Sequence, residues 1–193
     1  MKHLGTVPLT TSRLILRPFT PEDIPAAFRN WCSDPEVTRY LRWPAHPNED
    51  VTRMVLTDWI SSYQQPDFYQ WAIQPKEEGE VVGAITVVEH DDRTAKIHIG
   101  YCIGRPWQRK GYMSEALSAL VEFFFTQVGA GRIESLHDPN NPASGKVMLK
   151  CGLLPEGVMR NSDWNNQGIV DACMHALLRE DWLRQKAEAK PTR

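Results

Sequence analysis

The stretch Gly104 to Leu120, GRPWQRKGYMSEALSAL, constrains the fold more than any other part of the chain. It leaves an expected strand, turns through Gln108-Arg109-Lys110-Gly111 and enters a helix at Tyr112-Met113. A helix start presents unpaired N–H groups and about half a positive charge from the aligned peptide dipoles. With two cations beside it, and Gly111 lacking a Cβ, this junction suits an anion, above all a phosphate. Met113, Ala116, Leu117, Leu120, Val121, Phe124, Phe125 and Val128 then follow the i, i+3, i+4, i+7 spacing of one buried helix face. Gly129 and Gly131 end that helix. On these residues alone a solvated helix cap explains the turn as well as phosphate binding does. The turn fits neither G-x-G-x-x-G nor G-x-x-x-x-G-K-[ST], so Rossmann and P-loop nucleotide folds are poor matches.

The rest of the chain reads as a mixed sheet. Thr11 to Phe19 alternates apolar and basic residues, as an edge or hairpin strand does. Thr20-Pro21-Glu22-Asp23 starts a helix to about Trp31, Ser33-Asp34-Pro35-Glu36 a short one to about Leu41, and Asn48 caps a third to about Tyr63. Val51, Val55, Trp59 and Met54 are expected on the inner face of the third. Arg42 to Pro47 holds two prolines and reads as a loop. Strands are expected at Phe68 to Gln74, Val81 to Glu89 and Ala95 to Ile103, an antiparallel meander that feeds the cationic turn. After the helix come a strand at Arg132 to His137, a helix from Asn141 to Cys151, a strand to about Met159, a turn at Asp163 to Gly168 and a last strand at Ile169 to Leu178. This order predicts one α+β domain over residues 1–193: a mostly antiparallel sheet of about seven strands with helices on both faces. Arg179 to Lys190 reads as a charged tail that is helical at first, and residues 1–10 and 184–193 are expected as tails.

Composition narrows the class. An apolar fraction of 41% supports a core, and a net charge of −2 argues against nucleic-acid binding. The longest apolar or small run, Val81 to Val88, is too short to span a bilayer, and MKHLGTVPLTTS lacks the apolar stretch of a signal peptide. Cys32, Cys102, Cys151 and Cys173 show no C-x-x-C spacing. They read as reduced core thiols of a cytoplasmic protein, and no metal is expected.

Asn141-Pro142-Ala143-Ser144, running to Met148, Lys150 and Gly152-Leu153, forms the pattern N-x-x-S-x-x-x-[ML]-x-K-x-G-[FL]. Asn141 is a good helix cap, or its side chain could bond an amide-bearing ligand. Together with Trp107-Gln108-Arg109-Lys110-Gly111-Tyr112-Met113-Ser114-Glu115-Ala116-Leu117, it resembles the two cofactor motifs of the GNAT acetyltransferases, in the branch that acetylates N-termini of ribosomal proteins. The likeness covers about Thr11 to Trp182.

The resemblance implies direct transfer of the acetyl group of acetyl-CoA to a primary amine within a ternary complex. It implies cofactor contacts from Gln108, Arg109, Lys110, Gly111, Tyr112 and Met113, from Asn141 and Ser144, and from the strand end Tyr101-Cys102-Ile103. It makes Ser144 the acid that meets the departing thiolate, and Asp163, counted without gaps from Ser144, the base. His98, which alternates with Ile97 and Ile99, is a second candidate base or a strand histidine with a bonded tip. Tyr101, His137 and Glu89 are weaker candidates, and Asp171 reads as structural. Tyr40, Trp31 and Trp43 flank the proline loop, either as an acceptor wall or as core. The expected acceptor is a protein N-terminal amine. Alternatives are a small-molecule amine (polyamine, amino sugar or antibiotic) or a non-catalytic acyl-CoA-binding module. No nucleic-acid or membrane partner is expected, and the chain is expected as a monomer or homodimer.

Overall fold

The computed structural model describes residues 1–188. Its centre is an eight-stranded sheet in the order β1-β2-β3-β4-β5-β6-β8-β7. The strands are β1 Leu9–Thr10, β2 Leu14–Arg17, β3 Gln70–Pro75, β4 Gly83–Asp91, β5 Lys96–Ile103, β6 Arg132–His137, β7 Leu154–Asn165 and β8 Gly168–Leu178. Every neighbouring pair is antiparallel except β5 and β6. The expected class holds, with one strand more than expected. The addition is β1, inside the segment expected as an N-terminal tail. That segment is fastened along its length: Lys2 N–H donates to the Val128 carbonyl, Gly5 N–H to that of Pro66, and Thr6 Oγ1 to that of Phe68.

The expected helices form, with adjusted ends. A helical stretch of a 3-10 turn Pro21–Asp23, α1 Ile24–Ala27 and a π-type turn Phe28–Cys32 follows β2. Then come α2 Pro35–Thr38 and α3 Glu49–Ser62. Asn48 caps α3 by accepting from Val51 N–H at 3.2 Å. Thr52 and Leu56 are its fully buried residues, and Val55 and Trp59 pack partly buried against the second apolar cluster, as expected, whereas Met54 points to solvent. α4 spans Tyr112–Phe123 and runs on as a π-type segment Phe124–Val128, and every residue expected on its inner face is buried. α5 spans Pro142–Lys150 and α6 Arg179–Glu188. The expected C-terminal tail is thus helical as far as Glu188, and residues 189–193 lie outside the described residues. Among the described residues no helix is long and apolar enough to cross a membrane.

Two apolar clusters sandwich the sheet. Alternation along β3 sends Trp71 and Ile73 toward the aromatic face of α4, and Ala72 toward α1 and α3. Trp31 belongs to the second cluster and is fully buried, so it is core.

Two irregularities open this sheet. A bulge in β4 between Val87 and Glu89 shifts its register against β5. Val88 then lies over Gly100, where a Cβ would sit 2.7 Å from Val88 Cγ2. Second, β5 and β6 pair only at Lys96↔Arg132, Ile97↔Ile133 and His98↔Glu134. Beyond His98 they part, β6 staying with β8 as far as His137↔Cys173. Ser135 Oγ, donating to the Ile99 carbonyl at 2.7 Å, marks the fork.

The expected turn at Asp163 to Gly168 is shorter in the structure. β7 continues through Asp163 to Asn165, leaving Asn166 and Gln167 as the turn. Asp171 accepts from Asn161 N–H at the irregular middle of that hairpin, the structural role expected of it. At the tip, Asn166 Nδ2 donates to the carbonyls of Thr38, Leu41 and Trp43, and Asn166 N–H donates to that of Leu41. The hairpin thereby clamps the loop between α2 and α3. Removing those side-chain donors by Asn166→Ala is expected to lower the unfolding free energy by about 1–3 kcal/mol. Urea melts check this; an unchanged midpoint would show that packing alone holds the loop.

Candidate active site

The cationic turn is held from behind. Glu115, in the first turn of α4, accepts from Arg13 N–H at 2.9 Å, from Arg13 Nε at 2.7 Å, and from Thr11 and Ser12 hydroxyls. Burial works against its charge, but these hydrogen bonds hold its carboxyl far below the usual range, at about 2. Arg13 also donates to the Lys110 carbonyl at 3.0 Å and lies over the Tyr112 ring at 4.8 Å. Neither Arg13 nor the role of Glu115 was readable from the sequence. They are far apart in the chain, and only the docking of β2 against α4 joins them.

Held in this way, the turn takes a shape that few residues adopt. Arg109 and Gly111 both have positive φ, 62° and 82°. Such left-handed positions turn successive N–H groups toward one point, a nest for an anion. Among the described residues, no acceptor meets the N–H groups from Arg109 to Ser114; the first helical bond is Glu115 N–H to the Gly111 carbonyl. A Cβ on Gly111 would lie 3.3 Å from Arg13 Nη2 and 3.8 Å from Lys150 Nζ. Lys150 therefore comes to the turn from the end of α5. Arg109, Lys110 and Lys150 have no carboxylate partner among the described residues. Tyr112 and Met113 are buried as side chains, so of these two only the backbone N–H is offered. Gln108 donates its side-chain amide to the Ile103 carbonyl at 3.2 Å. Free amides, extra cations and a close-approach glycine are the donor set that a diphosphate requires.

The fork between β5 and β6 lies beside this turn. Gly104 N–H bonds to the Val82 carbonyl of the β4 side. Alternation then sends Cys102 N–H toward β4 as well, and the N–H groups of Tyr101 and Ile103 toward the fork. Of the three residues expected there, Cys102 thus offers no donor to the opening. Its thiol is pushed up to about 12 by burial, and that of Cys151 is raised by the same cause. Both stay protonated and are poor nucleophiles.

Across the fork stands α5. Asn141 begins it without capping it through its side chain, which corrects the capping alternative and leaves the amide facing the cleft. Ser144 Oγ donates to Tyr101 Oη at 3.0 Å, and Tyr101 Oη–H donates to the Ser144 carbonyl at 3.0 Å. Burial raises the Tyr101 phenol far above its ordinary value, so it keeps its proton. His137 is tied to the Asp138 carbonyl through Nδ1, and its ring fills the space that a Cβ on Gly145 would need.

The cleft that opens here, about 260 Å³, lies between sheet residues and the clamped loop that carries Tyr40, Arg42 and Trp43. His98 and Gln70 face it, only 9% and 5% exposed. Neither side chain has a hydrogen-bond partner among the described residues, so the bonded tip expected as one reading of His98 is absent. Burial lowers the His98 pKa, with Glu134 and Glu89 opposing, so its imidazole is neutral at pH 7. Glu89 itself is exposed and does not line the cleft. Asp163 reaches the cleft but is bound to Arg42 Nη2 at 2.8 Å. Asp138, the other acid in the cleft, accepts from Asn140 and Asn165.

Residues 13–154 match the family model described as the acetyltransferase (GNAT) domain. The chain belongs to the GNAT acetyltransferases. It is 29% identical over 171 residues to the uncharacterized N-acetyltransferase YoaA of Bacillus subtilis (strain 168), covering 89% of this chain and 96% of that protein. It is 26% identical over 190 residues to the [ribosomal protein uS5]-alanine N-acetyltransferase of Escherichia coli (strain K12), covering 93% and 95%. The solved GNAT-family acetyltransferase from Bacillus anthracis has the same fold, with a TM-score of 0.80 at 24% identity over 90% of this chain and 99% of that one. The protein is accordingly an acetyl-CoA-dependent acetyltransferase.

If the nest holds the diphosphate, Arg109→Ala combined with Lys110→Ala weakens coenzyme A binding about tenfold or more, and the loss shrinks as salt is raised. Both side chains are exposed, so the melting temperature stays within about 2 °C of the parent. Calorimetry with coenzyme A measures the first effect, and unchanged affinity would remove the turn from the site.

Proposed function

We propose that this acetyltransferase acetylates the α-amine of a protein N-terminus, and that His98 is its general base. The observation that carries this reading is the acceptor cleft itself: a neutral, buried imidazole without a partner, beside carboxylates that are all engaged. An α-amine has a pKa near 7.7–8.0 and needs only a weak base, whereas a lysine amine near 10.4 needs far more. A polyamine or aminoglycoside would call for free carboxylates, and Asp138 and Asp163 are already bonded. Gln70 supplies a buried amide, donor and acceptor together, which suits the first peptide group of an acceptor chain. The likeness to an enzyme that acetylates alanine of ribosomal protein uS5 supports the same class of acceptor.

Acetyl-CoA supplies the acetyl group as a thioester. The N–H groups of Arg109 to Ser114, with Arg109, Lys110 and Lys150, hold its diphosphate, and the Asn141 amide faces its amide-bearing arm. Tyr101 and Ile103 N–H groups point into the fork, where a carbonyl oxygen gaining charge needs donors. Tyr101 keeps its proton for a departing sulfur, and Ser144 Oγ–H stands behind it to replace that proton. This divides between two hydroxyls the acid role first ascribed to Ser144. Asp163 is given a positioning role, since its bond to Arg42 fixes the loop over the cleft.

Two measurements test the reading. Turnover of acetyl-CoA against peptides with free N-terminal Ala or Ser, the same peptides blocked at the N-terminus, spermidine and an aminoglycoside should select the free peptides. Preference for spermidine or the aminoglycoside would overturn the acceptor assignment. At saturating acceptor, kcat reports the groups of the ternary complex. Because the His98 pKa is lowered from 6.5, activity should persist below that value and fall only as pH drops through the shifted pKa. His98→Asn should reduce kcat by about 10²–10⁴-fold and abolish that limb. Survival of the limb would make Asp163 or water the base.

A further inference from the structure

Past the cleft-lining residues of β4, at the C-terminal end of that strand, three side chains converge that no step of acetyl transfer uses. His3 comes from the N-terminal segment, His90 from β4, and Asp92 from the turn that follows. One ligand atom from each lies within 4.8 Å of the other two. The His3 and His90 rings stand 4.7 Å apart, and His3 Nε2 faces Asp92 Oδ1 at 2.9 Å.

Three details distinguish this group from an incidental ion pair. His3 is oriented from behind, because its Nδ1 bonds Tyr69 Oη at 3.1 Å, and Tyr69 is 1% exposed and stacked in the core on Trp71. A ligating histidine is usually fixed in this manner, with one ring nitrogen held by the protein and the other aimed outward. Second, His90 Nδ1 is buried with no hydrogen-bond partner, an orphan that needs an explanation. Third, the other nitrogen of His90 is attended by a carboxylate, with Asp67 Oδ2 3.8 Å from Nε2, so that ring too is oriented by the protein.

We propose that His3, His90 and Asp92 form a surface site for a borderline divalent transition metal of the zinc type, with water completing the shell. Two imidazole nitrogens and a carboxylate suit zinc-like ions rather than calcium or magnesium, which prefer oxygen alone. Zinc holds such atoms at about 2.0–2.2 Å, so in a tetrahedral shell they lie roughly 3.4 Å apart. The three ligand atoms now lie within 4.8 Å of one another, so closing on an ion asks for movements of about 1.4 Å at most. The bound ion would staple the N-terminal segment to the β4–β5 turn. The cysteines gave no hint of it, because residues 3, 90 and 92 meet only when the first segment lies along the sheet.

The experiment titrates chelator-stripped, tag-free protein with ZnCl₂ by calorimetry and with Co²⁺ by visible absorption. One site of micromolar or tighter affinity is expected, with the intense d–d bands of low-coordinate cobalt and a rise in melting temperature. His90→Ala and Asp92→Asn should each weaken binding at least tenfold. Tyr69→Phe, which removes only the hydroxyl behind His3, should weaken it less. Acetyl transfer should be unchanged in His90→Ala and Asp92→Asn, which separates this site from the cleft. Absence of saturable binding below millimolar metal, or full affinity in the His90→Ala/Asp92→Asn double variant, would overturn the proposal.

Discussion

The parting of β5 and β6 governs the rest of this molecule. A parallel pair normally continues as long as both strands last, because each unpaired peptide group loses a hydrogen bond. Here pairing stops after His98 and Glu134, although β5 runs on to Ile103 and β6 to His137. The groups freed on β5 face a gap that is dry enough to raise the Tyr101 phenol and to strip His98 of its charge. The fork also sets the anion turn at the end of one branch and α5 at the end of the other.

What was legible in the sequence follows from how far apart the deciding residues are. The buried face of α4, the Asn48 cap and the glycine at the head of α4 are set by neighbours within a turn or two, and all were readable. The two motifs that mark the family were readable for the same reason. The burial of Thr52 on α3 was not, because it is a polar residue bonded to His46, which no hydrophobic pattern registers. Asn141 shows a related limit. Its residue type predicts a cap, but the backbone before α5 turns the amide away from the helix start. The place of Gln70 was invisible, since β3 reads as continuous core and only the cross-strand row Gln70, Thr86 and Gly100 sets it on the cleft floor.

Asp163 and His98 differ in their partners as well as in residue type. The Asp163 carboxylate is held 2.8 Å from the Arg42 guanidinium, so one of its oxygens is already engaged. An imidazole buried without a partner loses its charge and keeps its lone pair available. Sequence can place either group near the reaction. It cannot show that Arg42, from a loop more than a hundred residues earlier, occupies one of them.

Asn166 binds the loop that covers the cleft to the tip of a hairpin built from the other end of the chain. The shape of that cover is therefore not a property that the Tyr40–Trp43 loop can change by itself. Lengthening or reshaping the loop must alter the β7–β8 tip in step, or lose the fastening. Divergence among relatives in this part of the fold should accordingly be written as paired change in these two distant segments, while the sheet between them stays as it is.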